Sequence, residues 1–255
     1  MKRTELFSII GLIAGATMGG SAFAQDGPQF MSVEVFTCKY NDRQGARNLD
    51  EVVARWNRWM DANGVGQYTA YTGTPHFYSS EQDFDFLWLG VSPFSEESGA
   101  GTDRWLAEGG EVAAGFAAVA TCDNHLNVAS YMAKEPVSDG NPAQKPVISI
   151  SNCKLGDGQR GEDIAALTTM EGQRRAEAGS KAGTWMWFPV HGGNTPDLDY
   201  VLVNGWRNHA EREKDLADYF ANQGWNNNRR LYSGKVSCDV SRVYNLTLRR
   251  AAAGD

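Results

Sequence analysis

Hydrophobic and polar positions follow two different periods near the start of the chain. Residues 32–38 alternate, with Glu34 and Phe36 on the face opposite three smaller side chains, and this alternation predicts a strand. Residues 48–63 instead repeat apolar side chains at the spacing of one helical face, with Asn48 placed to cap the helix. The apolar side chains of that face are Leu49, Val52, Val53, Trp56 and Met60.

The pattern then continues through a strand at 67–72, a strand at 84–91, a helix at 103–116 and a strand at 119–131. The resulting order, β-α-β-β-α-β, is that of the ferredoxin-like motif. In this motif four antiparallel strands form one sheet, with both helices on the same face. We expect the first strand to be central and the last strand to pair with it at the sheet edge.

The chain repeats itself at an offset of 115 or 116 residues. Both early cysteines precede a lysine and both late cysteines precede an aspartate. The matching pairs include Cys38 with Cys153, Cys122 with Cys238, and His76 with His191. We interpret this as a tandem duplication of the ferredoxin-like unit.

The repeat predicts two units, at 31–134 and 147–250. Residues 135–146, with the sequence EPVSDGNPAQKP, are rich in turn-forming residues and read as a linker. Because two units in one chain can cover each other's bare sheet faces, we expect a monomer.

The first strand ends and the last strand begins at the same end of each predicted sheet. This topology brings the two cysteines of each unit together and predicts the disulfides Cys38–Cys122 and Cys153–Cys238. Four free thiols are the alternative. A zinc site is disfavoured because the sequence has no C-x-x-C motif.

Residues 1–24 have the three parts of a signal peptide. Two basic residues precede a mostly apolar run at 6–18, and Ala22 and Ala24 form an A-x-A cleavage pattern. The alternative is a buried N-terminal helix. From the signal-peptide pattern we predict a periplasmic or secreted bacterial protein. Later in the chain no apolar stretch approaches 18 residues, so we predict no membrane span.

Composition and the absence of known motifs argue against one class of partner and against three classes of reaction. A formal net charge of −7 over 255 residues argues against nucleic acid as a partner, because phosphate binding needs a basic surface. No nucleophile elbow, phosphate loop or dinucleotide fingerprint is present. These absences lower the expectation of serine hydrolysis, nucleotide hydrolysis and nicotinamide chemistry.

In element order and duplication, the chain resembles the dimeric α/β-barrel superfamily, whose members pair or fuse two ferredoxin-like modules. The resemblance covers residues 31–250 and implies an α+β fold in which the two units pack sheet to sheet as a pseudo-dimeric α/β barrel. Superfamily members include cofactor-free monooxygenases, haem-degrading enzymes and chlorite dismutase-like haem proteins. Their ligands commonly lie between a sheet and its helices or in the central barrel. No family motif assigns a role to a residue of this chain.

Four polar residues are candidates for catalysis because they recur in both units. His76 and His191 fall after the second strands, where they could shuttle protons beside a carboxylate. Asp85 and Asp199 enter the third strands, where they could line a polar pocket. The alternatives are solvated loop histidines and carboxylates that end a hairpin.

The first helix of the second unit supplies a fifth catalytic candidate. Glu171 takes the place that Trp56 has in the first unit, and a carboxylate turned toward a sheet is a candidate for an altered pKa. A rotated helix would instead leave Glu171, Arg174 and Arg175 in water.

Strand aromatics are candidates for binding a flat, apolar ligand. These side chains are Tyr68, Trp88, Trp185, Trp187 and Tyr200. The alternative is that they fill the core between two facing sheets.

Taken together, the sequence predicts an exported barrel protein that binds a small apolar or aromatic molecule. The alternative is a small-molecule oxidoreductase, monooxygenase-like or haem-related, with histidine and aspartate at the hairpin end of the sheets. No motif requires a cofactor or a metal, and haem stays open on the resemblance alone.

Overall fold

The computed structural model describes residues 29–138, 143, 145–193 and 198–253. The predicted signal peptide at 1–24 lies outside these residues, as does part of the predicted linker.

The described residues form nine strands and six helices. The first half contains β1 (Phe30–Tyr40), α1 (Ala46–Ala62), β2 (Thr69–Phe77), β3 (Phe86–Pro93), α2 (Glu96–Glu108), α3 (Gly110–Val119) and β4 (Ala120–Lys134). The second half contains β5 (Val147–Leu155), α4 (Gly161–Glu177), β6 (Gly183–Gly192), β7 (Tyr200–Trp206), α5 (His209–Ala221), α6 (Gly224–Tyr232), β8 (Val236–Cys238) and β9 (Arg242–Arg250).

Each half orders its strands in the same way. The first half has the order β4-β1-β3-β2, and the second has β9-β5-β7-β6, with the short β8 extending the pairing along β5. The first strand of each half is therefore central, as the motif predicts. All of these pairings are antiparallel, which makes the fold an α+β fold.

The two halves are joined edge to edge by hydrogen-bonded ladders. β4 pairs with β6, and β2 pairs with β9, so the sheet closes into a barrel of eight strands. Within its own half β4 is the edge strand beside β1, as the motif predicts, and β6 of the other half pairs with that edge. Edge-to-edge pairing satisfies backbone groups that an open edge would leave exposed.

The barrel encloses one apolar core, made by the inward-facing side chains of strands from both halves. Its buried members include Val33, Leu89, Val128, Val203 and Leu246. The helices lie outside this barrel. In the first half, the predicted face of α1 is buried against the sheet at all five expected positions, which confirms the helical pattern.

Two helix boundaries differ from the prediction. The N-cap of α1 is Gly45, not Asn48, and it makes no side-chain capping bond. The single helix predicted at 103–116 is instead two helices, α2 and α3, which meet at Gly109. At this junction the ring of Trp105 packs so closely that a side chain at Gly109 would overlap it.

Each half contains one disulfide, and the predicted pairing is confirmed. Cys38 is bonded to Cys122, and Cys153 to Cys238, so the alternatives of free thiols and a zinc site are wrong. In each half the bond joins the first strand to the start of the last one.

The disulfides generate a stability prediction. Replacing Cys38 and Cys122 together by alanine opens a loop of 84 residues, and closing such a loop contributes about 4 kcal/mol in the chain-entropy model. Urea unfolding of this variant and of the matched Cys153→Ala, Cys238→Ala variant should show losses of similar size, since the second loop spans 85 residues. If only one of the two variants lost stability, the argument that loops of similar length contribute similar stability would be contradicted.

Candidate functional site

The first half contains a cavity of about 880 Å³ between the outer face of its sheet and helices α1, α2 and α3. Its walls are largely apolar. The aromatic side chains that line it are Phe36, Trp56, Tyr68, Phe86, Trp88, Phe94, Trp105 and Phe116. Several of these rings meet edge to face, with Trp56 and Trp88 centroids 5.2 Å apart. Such a space suits a flat, apolar molecule.

Two carboxylates, Glu34 and Glu97, line this cavity, and three side chains are arranged around Glu34. Tyr68 donates its hydroxyl hydrogen bond to Oε2 of Glu34 at 2.9 Å. Nε2 of His125 lies 3.2 Å from Oε1 of the same carboxylate. Trp88 donates its indole N–H to the Tyr68 oxygen at 3.4 Å. These groups form a hydrogen-bond network on a largely apolar wall.

Gly90 allows Tyr68 to reach Glu34. Glu34 on β1 lies opposite Gly90 on β3, and the Tyr68 ring crosses β3 at this point. A methyl group on Gly90 would lie 1.7 Å from the Tyr68 oxygen and 2.3 Å from its Cζ. The absence of a side chain at Gly90 therefore creates the space in which the Tyr68–Glu34 hydrogen bond forms.

The Tyr68 hydroxyl stays protonated in this setting. Burial, together with the negative charge of Glu34, raises the pKa of Tyr68 well above its ordinary value. The group therefore donates to Glu34 at neutral and mildly alkaline pH.

His125 is held against Glu34 by stacking. It lies opposite Phe36 in the β1–β4 ladder, and the two rings stack with centroids 3.8 Å apart and an angle of 13°. The Glu34 side chain remains 33 % exposed and the His125 side chain 52 % exposed. Both side chains line the cavity, so a molecule inside it could contact them.

The carboxylate network is confined to the first half. The strand registers place Ser149 where the first half has Glu34. Ser241, whose Oγ contacts that of Ser151, takes the place of His125, which lies opposite Phe36. By the same registers Gly90 corresponds to Asn204. The second half has no carboxylate at the position of Glu34, so its helix-covered face presents different chemistry.

The second half fills this space with ion pairs and leaves a smaller cavity of about 240 Å³. Glu171 is buried there and accepts two hydrogen bonds from Arg174, at 2.8 and 2.6 Å. The rotated-helix alternative, with Glu171 in water, is therefore wrong. Tyr200, a predicted ligand-binding residue, also lines this cavity.

A second ion pair lies in the same part of the second half. Arg175 pairs with Asp215 at 2.8 Å, and Trp206 donates its indole N–H to the same carboxylate at 3.0 Å. Burial by itself opposes ionisation of Asp215, but the charge of Arg175 and these hydrogen bonds outweigh it and lower the pKa of Asp215.

Asp85 and Asp199 have the same structural role in the two halves. The Asp85 backbone N–H donates to Cys38 O, and its carboxylate accepts from Tyr40 N at 2.7 Å. Asp199 makes the equivalent bonds with Cys153 O and with Leu155 N, the latter at 2.7 Å. Each aspartate extends the pairing at the end of a central strand. Neither is among the described residues that line the two cavities.

His76 and His191 are exposed and lie apart from the carboxylate network. The His76 ring packs against that of His209, with centroids 4.5 Å apart, beside Asn245 at the β2–β9 seam. His191 lies opposite Asn127 in the β4–β6 ladder. Neither histidine is among the described residues that line the two cavities.

The five predicted aromatics divide between three places. Tyr68 and Trp88 line the large cavity, whereas Trp185 and Trp187 pack into the barrel core. Tyr200 lies under the helices of the second half.

Glu34 and His125 were missed as site residues. The signal for Glu34 was available, because it shares its strand face with Phe36, on the side that the helices cover. A carboxylate on the helix-covered face of a central strand is unusual and marks a candidate site.

We predict that Gly90→Ala destabilises the protein by about 1–3 kcal/mol, because the added methyl displaces the Tyr68 ring and breaks its bond to Glu34. Gly99→Ala is the control, since it lies in α2 on the same cavity and a methyl there meets nothing within 4 Å. Urea unfolding measures both. The Gly90→Ala loss should vanish in a Tyr68→Ala background; an undiminished loss there would refute the role of Tyr68.

A separate prediction concerns the buried ion pair between Arg175 and Asp215. Arg175→Met removes the ion-pair partner of the buried Asp215 and should cost about 3 kcal/mol at neutral pH. Since the folded-state pKa of Asp215 is lowered, the difference from wild type should shrink as the pH falls below about 4 and Asp215 is protonated. Lys214→Met, which removes an exposed pair with Asp218, should change stability by under about 1 kcal/mol. Equal losses of stability in the two variants would contradict the conclusion that the buried Arg175–Asp215 pair contributes more than the exposed Lys214–Asp218 pair.

Solved structures share this architecture at low sequence identity. A protein from Fusobacterium nucleatum described as a "Putative monooxygenase" superposes with a TM-score of 0.56 at 9 % identity, covering 88 % of this chain and 94 % of its own. One from Lactobacillus acidophilus, described in the same words, has a TM-score of 0.51 at 10 % identity, covering 88 % and 95 %. A mutant chlorite dismutase from Candidatus Nitrospira defluvii also has a TM-score of 0.51 at 10 % identity, covering 85 % and 91 %.

No protein-family model and no curated protein matches the sequence. Identities of 9 to 10 % show the fold alone. The structural neighbours therefore support the α/β-barrel architecture that the resemblance implied.

Proposed function

We propose that this protein binds a small, largely apolar aromatic molecule in the cavity of its first half. The observation that carries the proposal is the space of about 880 Å³, lined by aromatic rings and containing the carboxylate of Glu34 hydrogen-bonded to Tyr68. Small-molecule sites have volumes of about 300–1,000 Å³, apolar walls and a few polar groups that orient the ligand. The cavity has all three properties.

The other spaces fit a ligand less well. The barrel interior is packed with side chains, including Trp187 and Tyr244. The second-half cavity has about a quarter of the volume, and charged side chains such as Glu171 and Arg175 line it. These contrasts favour the first half as the binding half.

The charged groups of the first-half cavity do not fit haem. Its described charged lining residues are Glu34, Glu97, Arg104 and His125. Arg104 is the one permanent cation among them and two carboxylates oppose it, so the lining does not complement the two negative propionates of a haem. Nε2 of His125 faces Glu34. We therefore assign no step to haem.

An oxidoreductase acting on the bound molecule is the second candidate. The fold shared with proteins described as monooxygenases, together with the His125–Glu34 contact inside the cavity, favours it. Glu34 and His125 would then touch the substrate, while His76, His191, Asp85 and Asp199 lie elsewhere. In this case His125→Ala would abolish turnover, whereas His76→Ala and His191→Ala would leave it unchanged.

Three further features complete the proposal. We place the protein outside the cytoplasm, since the two disulfides suit an oxidising compartment and residues 1–24 have the pattern of a signal peptide. Over the described residues no helix is long and apolar enough to cross a membrane.

We attribute the shared strand order of the halves to tandem duplication, and we propose a monomer because the barrel closes within one chain.

Calorimetric titration with 2-naphthalenemethanol, a neutral aromatic probe, tests the binding proposal. Ala113→Phe fills part of the cavity from α3 and should weaken binding at least about tenfold. Ala114→Phe is the matched control, because the next residue of the same helix is exposed and lies outside the cavity lining. Equal affinities in the two variants would place the probe elsewhere and overturn the proposed site.

A further inference from the structure

We propose that the natural ligand carries a positive charge, as an aromatic molecule with a protonated amine, and that Glu34 is its counter-ion. This inference rests on the proposed function, because it concerns the same cavity. It adds the charge of the ligand and the residue that recognises that charge.

The first argument is the charge balance around Glu34. The contacts of its two oxygens are with the neutral hydroxyl of Tyr68 and the imidazole of His125. Of the described lining residues, Arg104 is the one permanent cation, and it donates to the carbonyl of Asn63. A carboxylate in an apolar space is costly unless a cation lies beside it. None of these contacts places a permanent charge beside Glu34, and a cationic ligand would supply one.

The second argument is the acceptor capacity of the carboxylate. A carboxylate has about four acceptor positions on its two oxygens. Tyr68 occupies one position on Oε2, and His125 occupies one on Oε1. Each oxygen of Glu34 therefore keeps an acceptor position, and a third of the side chain remains accessible. An ammonium group supplies the N–H donors for these positions.

The third argument is the electrostatic character of the neighbouring rings. Trp56 lies edge to face with both Tyr68 and Trp88, at centroid distances of 5.9 and 5.2 Å. The faces of such rings are negative and attract cations, and indole faces do so most strongly. Rings and carboxylate together favour a cationic ligand and disfavour an anionic one.

Glu97, the other carboxylate of the cavity, differs from Glu34 in position and partner. It lies in the first turn of α2 and accepts a hydrogen bond from Gln67 at 2.8 Å. Its replacement by glutamine removes the same charge from the same cavity while leaving the Glu34–Tyr68–His125 network in place. Glu97→Gln is therefore the matched control for Glu34→Gln.

Three naphthalene probes of matched shape and different charge test the inference by calorimetric titration. They are 2-naphthylmethylamine, 2-naphthalenemethanol and 2-naphthoate. We expect the amine to bind at least about tenfold more tightly than the alcohol, and the carboxylate most weakly. Glu34→Gln should remove the advantage of the amine and leave alcohol binding within a few-fold of wild type. Glu97→Gln should keep the advantage.

The outcomes separate the two proposals. If the alcohol binds as tightly as the amine, or if Glu34→Gln keeps the preference, the inference about charge is overturned and the aromatic-binding proposal stands. If none of the three probes binds, both proposals fall. Should Glu34→Gln fail to fold, the order of the three affinities in the wild-type protein still decides the inference.

Discussion

Closure of the barrel is the constraint on which the rest of the structure depends. A four-stranded ferredoxin-like sheet has two open edges and one bare face, and each is unfavourable in water. The β4–β6 and β2–β9 ladders pair the edges of one half with those of the other. The same closure turns both bare faces inward, where they form the apolar core. Neither half could satisfy its edges and its core alone.

Closure also determines where a ligand can lie. Since the interior is filled, the remaining space is on the outside of the barrel, beneath the helices. The two halves use that space differently. The first half surrounds Glu34 with aromatic rings and leaves a large cavity, whereas the second half fills the space with the Glu171–Arg174 and Arg175–Asp215 pairs. One half thus has a large aromatic cavity beneath its helices, and the other has ion pairs in the same place.

Local periodicity and motif topology were sufficient to predict much of the fold. The strand order, the buried face of α1 and both disulfides follow from them. The ladders between the halves were not predictable in this way, because they join strands whose pairing no local pattern specifies. The aromatics show the same limit. Alternation places Trp185 and Trp187 on one face of β6, but only the closed sheet shows that this face is the barrel interior.

The site itself was predicted only in part. Tyr68 and Trp88 were identified from their strand pattern, yet the carboxylate to which they connect was not. Recognising Glu34 requires knowing that Tyr68 crosses Gly90, that His125 is its neighbour on β4, and that three helices leave a cavity above them. The recurrence of two aspartates has a structural explanation. Asp85 and Asp199 recur because both halves need the same strand end, so recurrence here marks structure.

The most direct test of the account is a crystal structure of the protein with 2-naphthylmethylamine bound. The account predicts the naphthalene ring between α1–α3 and the first-half sheet, with the amine nitrogen within hydrogen-bonding distance of Glu34. An amine bound in the second half or on the barrel surface, or a first-half cavity closed by its own side chains, would contradict it.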